Sequence, residues 1–465
     1  MMRVLVDRDD GWRFCYWSGR NVVKGHPLVR DKARVDQASS AGPHVIVIGA
    51  GFAGIQVARG LGAARVNVTV IDAKNYHLFQ PLLYQVATAA LSPADIAEPV
   101  RRMLRSFPSV EVLFGEVVSI DLRARHVTLA DGSTIGYDFL ILATGATPTY
   151  FGHHDWQRLA PSLKSISDAR EIRSRLLLSF EQAEMSTDVA ERKRLMTFVV
   201  IGGGPSGVEL AGAIAELARY TLSKDFHHVD AQLTTVFLLE AGPRILSAFP
   251  AQLAKYAEHK LTSLGVTVRT NCAVNNVSKH CVELDQGKIA MGLAMWTAGV
   301  KASPAGRWLG APVDKTGRVT VNRDLSVPGL IDTYALGDVA AVLGGDGKPL
   351  PGLAQVAKQQ GYFLGRALAK RIRKGTAVPE FEFHNRGNAA IIGRQSAIFD
   401  FGWSQLTGVL AWLLWAFVHI YLLAGFQHRV LVAIQWLWQY VAYDHGARLI
   451  VAPTHEAGAD VQSDN

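Results

Sequence analysis

The chain of 465 residues is poor in cysteine, with only Cys15, Cys272 and Cys281. No two of them form a C-x-x-C or similar close pair, so a dithiol relay is excluded and no disulfide framework is expected. That usage suits a reducing compartment. Histidines are scattered rather than spaced as ligands. His153–His154–Asp155 and His227–His228–Asp230 are adjacent residues whose side chains point apart, so no metal site is expected. The first 43 residues contain no apolar run long enough for a secretory signal. Their mixture of Arg, Asp, Lys and aromatics reads as a mobile extension, or as an upstream start that the fold does not need. No nucleic-acid-reading motif accompanies the net charge of +8 and the isoelectric point near 9.3, which points instead to an anionic membrane face or plain solubility.

What is abundant is apolar sequence: 49% of residues and a mean hydropathy of +0.13. Such a length predicts two or three domains. Two segments share one device. VIVIGAGFAGI (Val45–Ile55) is a buried strand, a glycine turn and a helix start. Gly49 permits the turn, Gly51 lets backbone approach a pyrophosphate, and Gly54 lets the helix pack on the strand. The helix N-terminus then offers unpaired N–H groups to phosphate. A second strand ends at Asp72, 23 residues past Gly49, where a carboxylate reaches a ribose hydroxyl. The pattern returns 153 residues later in FVVIGGGPSGVELAG, with Gly202, Gly204 and Gly207 in the same roles. Its acid is Glu240, 38 residues past Gly202, so an extended helix and the loop LSKDFHHVD are expected between. Glu240 favours NADH over NADPH because it repels a 2′-phosphate, although Arg244 lies near enough in sequence to work against it.

Between and after the copies come FLILATGATP with Thr144 and Gly145, MWTAGV with Gly299, and YALGDVA with Gly337 and Asp338. This order of five motifs resembles the two-dinucleotide-binding-domain flavoproteins. The resemblance implies an α/β fold of two Rossmann-like domains, the second inserted in the first. It assigns Gly49, Gly51, Gly54, Asp72, Thr144, Gly145, Gly337 and Asp338 to FAD. Gly202, Gly204, Gly207, Glu240 and Gly299 go to NAD(H). The expected boundaries are 1–43 for the extension, 44–155 and 316–400 for the FAD domain, 156–315 for the NAD(H) domain, and 401–465 for a C-terminal anchoring region.

The anchor is read from Leu406 to Phe426, 21 residues with no charged side chain other than that of His419, followed by VLVAIQWLWQYVAY. Tryptophans and tyrosines there suit a headgroup boundary. Either the first run spans a bilayer once, or both segments lie in its interface. HLFQPLLYQVAT, AQVAKQQG, GNAAIIGR and the W-x-x-x-H-I helix are similar to the type II NADH:quinone oxidoreductases. That likeness implies Gln355 and Gln359, at i and i+4, on a quinone channel beside the flavin, and Glu209 facing nicotinamide and flavin. Phe383 and Arg386 stand where that family has a tyrosine and a lysine. The expected activity is electron transfer from NADH through FAD to a membrane quinone, without proton pumping. The expected enzyme is a homodimer on the cytoplasmic membrane face. A soluble ferredoxin- or rubredoxin-type reductase and a non-catalytic NAD(H) sensor remain the rival readings.

Overall fold

The structure is a computed structural model that describes residues 42–345, 347–442 and 446–450. The expected extension therefore lies, but for its last two residues, outside the described chain, as does Cys15.

The first sheet opens with β1 (His44–Ile48), helix α1 (Phe52–Ala63) and β2 (Asn67–Asp72), and continues through β3 (Val110–Phe114) and β4 (Phe139–Leu142). Helix α2 (Ile166–Met185) leads to a second unit: β5 (Thr197–Ile201), α3 (Pro205–Glu216), β6 (Thr235–Leu239), α4 (Ala251–Ser263), β7 (Val266–Arg269) and β8 (Leu293–Trp296). The chain then returns to the first sheet as β9 (Thr333–Ala335). The sheet orders are β9-β4-β1-β2-β3 and β7-β6-β5-β8, parallel throughout. Parallel strands covered on both faces read as unbroken apolar runs, which is why HVIVI and TFVVI show no alternation. The second unit is thus inserted in the first. Ala146–Pro148 and Val300–Ala302 pair antiparallel where the chain crosses out and back.

Two later features pack on these units. Helix α5 (Ala354–Lys374) lies against α1 so closely that a Cβ on Gly361 would fall 2.2 Å from the Ala53 carbonyl oxygen. Strands β10 (Asn388–Gly393), β11 (Ser396–Asp400) and β12 (Gln405–Thr407) form an antiparallel sheet that crosses the expected boundary at 400. It packs on α3 of the second unit, where a Cβ on Gly212 would meet the Ile392 carbonyl oxygen at 1.9 Å.

The long apolar run is not one helix. Leu406 and Thr407 belong to β12, and helix α6 covers Gly408–Leu422 only. Leu423 is extended, Gly425 has φ +83°, and a second helix, α7, covers Phe426–Ala442. Fifteen residues rise about 22 Å, short of the roughly 30 Å hydrocarbon layer. Among the described residues no helix is long and apolar enough to cross a membrane, which overturns the single-span alternative. Trp415 and Ala411 anchor α6 in the core. Val409, Leu413, Phe417 and Tyr421 form an exposed stripe on it, 50–67% accessible.

Candidate functional site

The two glycine turns have the same physical construction. Gly49 has φ +102°, and a Cβ there would lie 2.3 Å from the Ala143 carbonyl oxygen. A Cβ on Gly54 would lie 1.8 Å from the Gly49 carbonyl oxygen, so α1 rests directly on the turn. Gly51 faces open space, with nothing within 4 Å of the corresponding position. In the second turn Gly202 and Gly207 are equally closed, at 2.6 Å and 1.9 Å, and Gly204 is open. Each turn therefore presents one bare backbone step to a ligand at a helix N-terminus, which fits a pyrophosphate.

Asp72 and Glu240 do more than wait for a ribose. Asp72 accepts the Ala50 N–H at 2.6 Å on one oxygen and the Lys74 N–H at 2.7 Å on the other. Glu240 accepts the Gly203 and Gly242 N–H groups, both at 2.7 Å. Each acid braces the middle of its own glycine turn and keeps lone pairs for a hydroxyl. Burial raises the Asp72 pKa, against the pull of its two backbone donors and of Lys74. The Thr297 hydroxyl braces the second turn from the other side by donating to the Ile201 and Gly202 carbonyls, both 2.9 Å away.

The connecting motifs meet at the crossover. Thr144 and Ser303 join their hydroxyls at 2.5 Å, and the Ser303 N–H donates to the Gly145 carbonyl. Gly299, φ +80°, turns the chain from β8 into the return segment, and its carbonyl accepts the Thr149 N–H. Gly337, φ +75°, donates its N–H to the Gln360 side chain at 2.7 Å. Gln360 is 1% exposed. Burial raises the Asp338 pKa, opposed by the nearby cations Lys164 and Arg318. Lys164 is in turn lowered by burial, against the pull of Asp338. Sequence reading missed Gln360, Lys164 and Thr297. A third glutamine and a lone lysine carry no spacing signal, but Thr297 lies inside the TAG motif and was within reach.

On the acceptor side, Gln355 and Gln359 face the same segment, as their i, i+4 spacing requires. Gln355 donates to the Gly387 carbonyl at 3.0 Å and accepts the Arg386 N–H at 3.2 Å. Gln359 donates to the His384 carbonyl at 2.9 Å and accepts the His384 N–H at 3.1 Å. Both amides thus clamp backbone; the second Gln355 N–H reaches the Asn388 side-chain oxygen at 3.5 Å, whereas Gln359 retains one N–H. Glu209 receives a hydrogen bond from the Ile391 backbone on β10, and burial pushes its pKa up to about 8. Glu216, two turns along the same helix, receives the Arg394 N–H, and burial pushes it up to about 7. Both carboxyls keep partial surface access yet lie deep among protein atoms, and that depth sets their desolvation.

Tyr84 sits beside both acids, and burial raises its pKa well above the phenol range, with Glu209 adding to the effect. Its hydroxyl accepts from the Gln85 amide at 2.8 Å, and Gln85 accepts the Trp436 indole N–H at 2.8 Å. A polar chain thereby joins Tyr84, beside the acids of α3, to Trp436 of α7. An aromatic column runs beside it. Phe52 meets His77 at 5.0 Å and Phe79 at 6.0 Å, Phe79 meets His419 at 6.1 Å, and His419 stacks on Trp415 at 4.1 Å. His419 Nδ1 donates to the Trp415 carbonyl, leaving Nε2 as an acceptor. Burial pushes the His419 pKa down to about 4, so the ring is neutral at pH 7. The buried Trp415 indole nitrogen has no hydrogen-bond partner among the described residues. Arg59, Arg386 and Arg429 surround Lys358 closely enough to depress its pKa, after partial burial.

The paired histidines are structural. His153 stacks on Trp156 at 4.0 Å, and the His227 and His228 N–H groups donate to Glu184. Among the described residues no group of three His, Cys, Asp or Glu is placed to hold a metal, and Cys272 and Cys281 are free.

Comparison with known proteins follows this geometry. The family model described as pyridine nucleotide-disulphide oxidoreductase matches residues 43–361. The Mycobacterium tuberculosis type II NADH:quinone oxidoreductase Ndh is 38% identical over 416 residues, covering 86% of this chain and 89% of that one. Its NdhA counterpart from the same organism is 40% identical over 425 residues, covering 88% and 89%. Among solved structures, Plasmodium falciparum NDH2 in complex with NADH superposes with a TM-score of 0.79 at 20% identity, covering 88% of this chain and all of that one. The fold is therefore shared beyond recognisable sequence. With two braced glycine turns, no dithiol beside them and relatives matched over nearly their whole length, the chain belongs to the pyridine nucleotide-disulphide oxidoreductase family, among its type II NADH:quinone oxidoreductases.

Proposed function

We propose that this chain carries electrons from NADH, through FAD, to a quinone drawn from a membrane to which α6 and α7 attach it. FAD on the first turn and NAD(H) on the second are the cofactors of this family. The observation that carries the reading is the aromatic column from Phe52, at the first glycine turn, to Trp415 and His419 on the inner face of α6, the helix whose outer face carries the apolar stripe. A lipid-soluble acceptor suits an apolar wall between cofactor and membrane helix, and a soluble iron–sulfur or rubredoxin partner does not need one.

FAD, when bound, supplies the two-electron redox centre between the nicotinamide and the acceptor. The protein's own residues hold and neutralise. Asp72 and Glu240 fix the turns and offer oxygens to ribose. Asp338, with Lys164 facing it, takes the flavin's polar chain. Gln355 and Gln359 are steadied on the 384–387 backbone, and Gln359 keeps one N–H for a quinone carbonyl. The indole N–H of Trp415 is a further unused donor. Arg59, Lys358, Arg386 and Arg429 offset negative charge developing on the acceptor oxygens. The balance is one hydride from NADH and one proton from solvent for each quinone reduced to quinol. In this reading Glu209, whose carboxyl burial keeps protonated near neutral pH, passes a proton toward the acceptor.

The exposed faces of α6 and α7 supply attachment. Burying five such side chains in lipid contributes roughly 1.5–3 kcal/mol each. Basic net charge favours the anionic cytoplasmic leaflet. The test uses Leu413→Glu with Phe417→Glu, both exposed, because truncation at 403 would also remove the core residue Trp415. This variant is expected to keep flavin and reduce a short-chain quinone, but to leave vesicles and lose turnover with lipid-embedded quinone. Full vesicle binding and turnover would refute the attachment. Flavin bleached by NADH that no quinone restores would refute the acceptor and favour a sensor.

A further inference from the structure

A cavity of about 300 Å³ lies between α4, the Arg394–Ser396 turn and the N-terminus of α6. It belongs to neither glycine turn nor to the acceptor wall. Its lining includes the cations Lys260 and Arg394 and the hydroxyls of Tyr256, Ser263 and Ser396, with no carboxylate. Tyr256 and Ser396 share a hydrogen bond of 3.2 Å, and the Lys260 ammonium lies 5.9 Å from the Tyr256 ring centroid. The Arg394 guanidinium is set in place by Tyr440, stacking 4.0 Å from the ring centroid and donating to its carbonyl. Gly408 and Val409, the first residues of α6, line the same space, and the Thr407 side chain makes no capping hydrogen bond there.

The cavity continues into the apolar stripe. Val409 lines it and is 50% exposed, and Leu413, Phe417 and Tyr421 follow at four-residue spacing. From Val409 to Tyr421 the helix rises about 18 Å, close to the length of an extended acyl chain. A ligand matched to both parts has an anionic head with several acceptor oxygens and a long apolar tail.

We propose that this cavity binds the phosphate of an anionic phospholipid, with an acyl chain laid along Val409, Leu413, Phe417 and Tyr421. The site rests on the attachment described under Proposed function and gives it a headgroup preference. Cations and hydroxyls converge on phosphate oxygens, as charge-assisted hydrogen bonds require. The helix N-terminus adds backbone donors. The lipid thereby sets the depth of α6 at the surface, beyond what apolar burial alone would fix.

The experiment uses the full-length, FAD-loaded enzyme and sedimentation with vesicles. Three compositions are compared: phosphatidylcholine alone, phosphatidylcholine with phosphatidylglycerol, and phosphatidylcholine with a fatty-acid carboxylate at the same surface charge. Lys260→Ala is compared with Lys255→Ala, an exposed lysine on the same helix. Bound-flavin absorbance and NADH turnover with a soluble acceptor verify that both variants are folded. The expected result is tighter binding to phosphatidylglycerol than to matched carboxylate. Lys260→Ala is expected to weaken phosphatidylglycerol binding about tenfold and erase that preference, whereas Lys255→Ala preserves it. Inorganic phosphate in solution is expected to compete only weakly, because it lacks the tail. Equal binding to the two anionic surfaces, or equal losses in the two variants, would overturn the site while leaving attachment intact if neutral vesicles still bind. An enzyme that binds no vesicle of any composition overturns both.

Discussion

Alanine at two glycines of the first turn should separate fold from cofactor. At Gly54 a Cβ would lie 1.8 Å from the Gly49 carbonyl oxygen, and real Cβ contacts essentially never fall below 3.0 Å. Helix α1 must therefore retreat from β1 by more than an ångström. Overpacking of this kind costs about 1–3 kcal/mol or more, which lowers Tm by several degrees. At Gly51 the backbone has φ −74° and ψ −162°, which alanine adopts freely, and no protein atom lies within 4 Å of the new methyl group. The flavin-free Gly51→Ala protein should thus lose no more than about 1 kcal/mol, the penalty of alanine at a helix cap. Its methyl group instead occupies the approach to a pyrophosphate. Losing one or two charge-assisted backbone contacts, at about 1.5–3 kcal/mol each, weakens FAD binding roughly ten- to a hundredfold or more. Flavin content after dialysis, with calorimetry on stripped and loaded protein, reads both effects. The reasoning collapses if Gly51→Ala holds FAD like the parent, or if its stripped form melts as early as stripped Gly54→Ala.

Three further outcomes are expected. The buried Glu209 carboxyl titrates near pH 8, above its unfolded value of 4.5, so its desolvation cost is absent in acid, grows between those pH values and is complete above 8. Glu209→Gln should accordingly gain Tm relative to the parent as pH rises from 5 to 9, and lose the parent's fall in quinone reduction above pH 8; a constant Tm difference would contradict this. Glu240→Gln should raise KM for NADH about tenfold and narrow the preference over NADPH, since one charged acceptor is lost; initial rates with both cofactors decide it. Gln360→Leu strands the buried Gly337 N–H, which costs about 1–3 kcal/mol. Chemical denaturation and flavin content should both register the change, and an unchanged flavin content would remove Gln360 from the cofactor's support.

The dinucleotide halves were legible because their constraints are local. A glycine needed for a positive φ or a 1.8 Å approach is visible in a six-residue pattern, and Asp72 and Glu240 end strands whose apolar runs mark them. The acceptor side was legible only as a likeness. Its contacts join distant segments: the Trp436–Gln85 hydrogen bond spans 351 residues and the Arg394–Glu216 one spans 178. No periodicity announces such pairs. The C-terminal run misled for a different reason. Hydropathy measures apolarity and is blind to a strand that claims Leu406 and Thr407, or to a break at Leu423 and Gly425 that splits one stretch into two short helices.

At Gly361 the backbones of α1 and α5 meet with no side chain between them to act as a cushion. In the proposed route α1 seats the cofactor's phosphates, while α5 carries Gln360 behind the Gly337 turn and Gln355 and Gln359 toward the acceptor. Bolted backbone to backbone at this contact, the two helices would hold donor and acceptor of the proposed route at one spacing. Turnover on such a frame exchanges occupants while the architecture stands still.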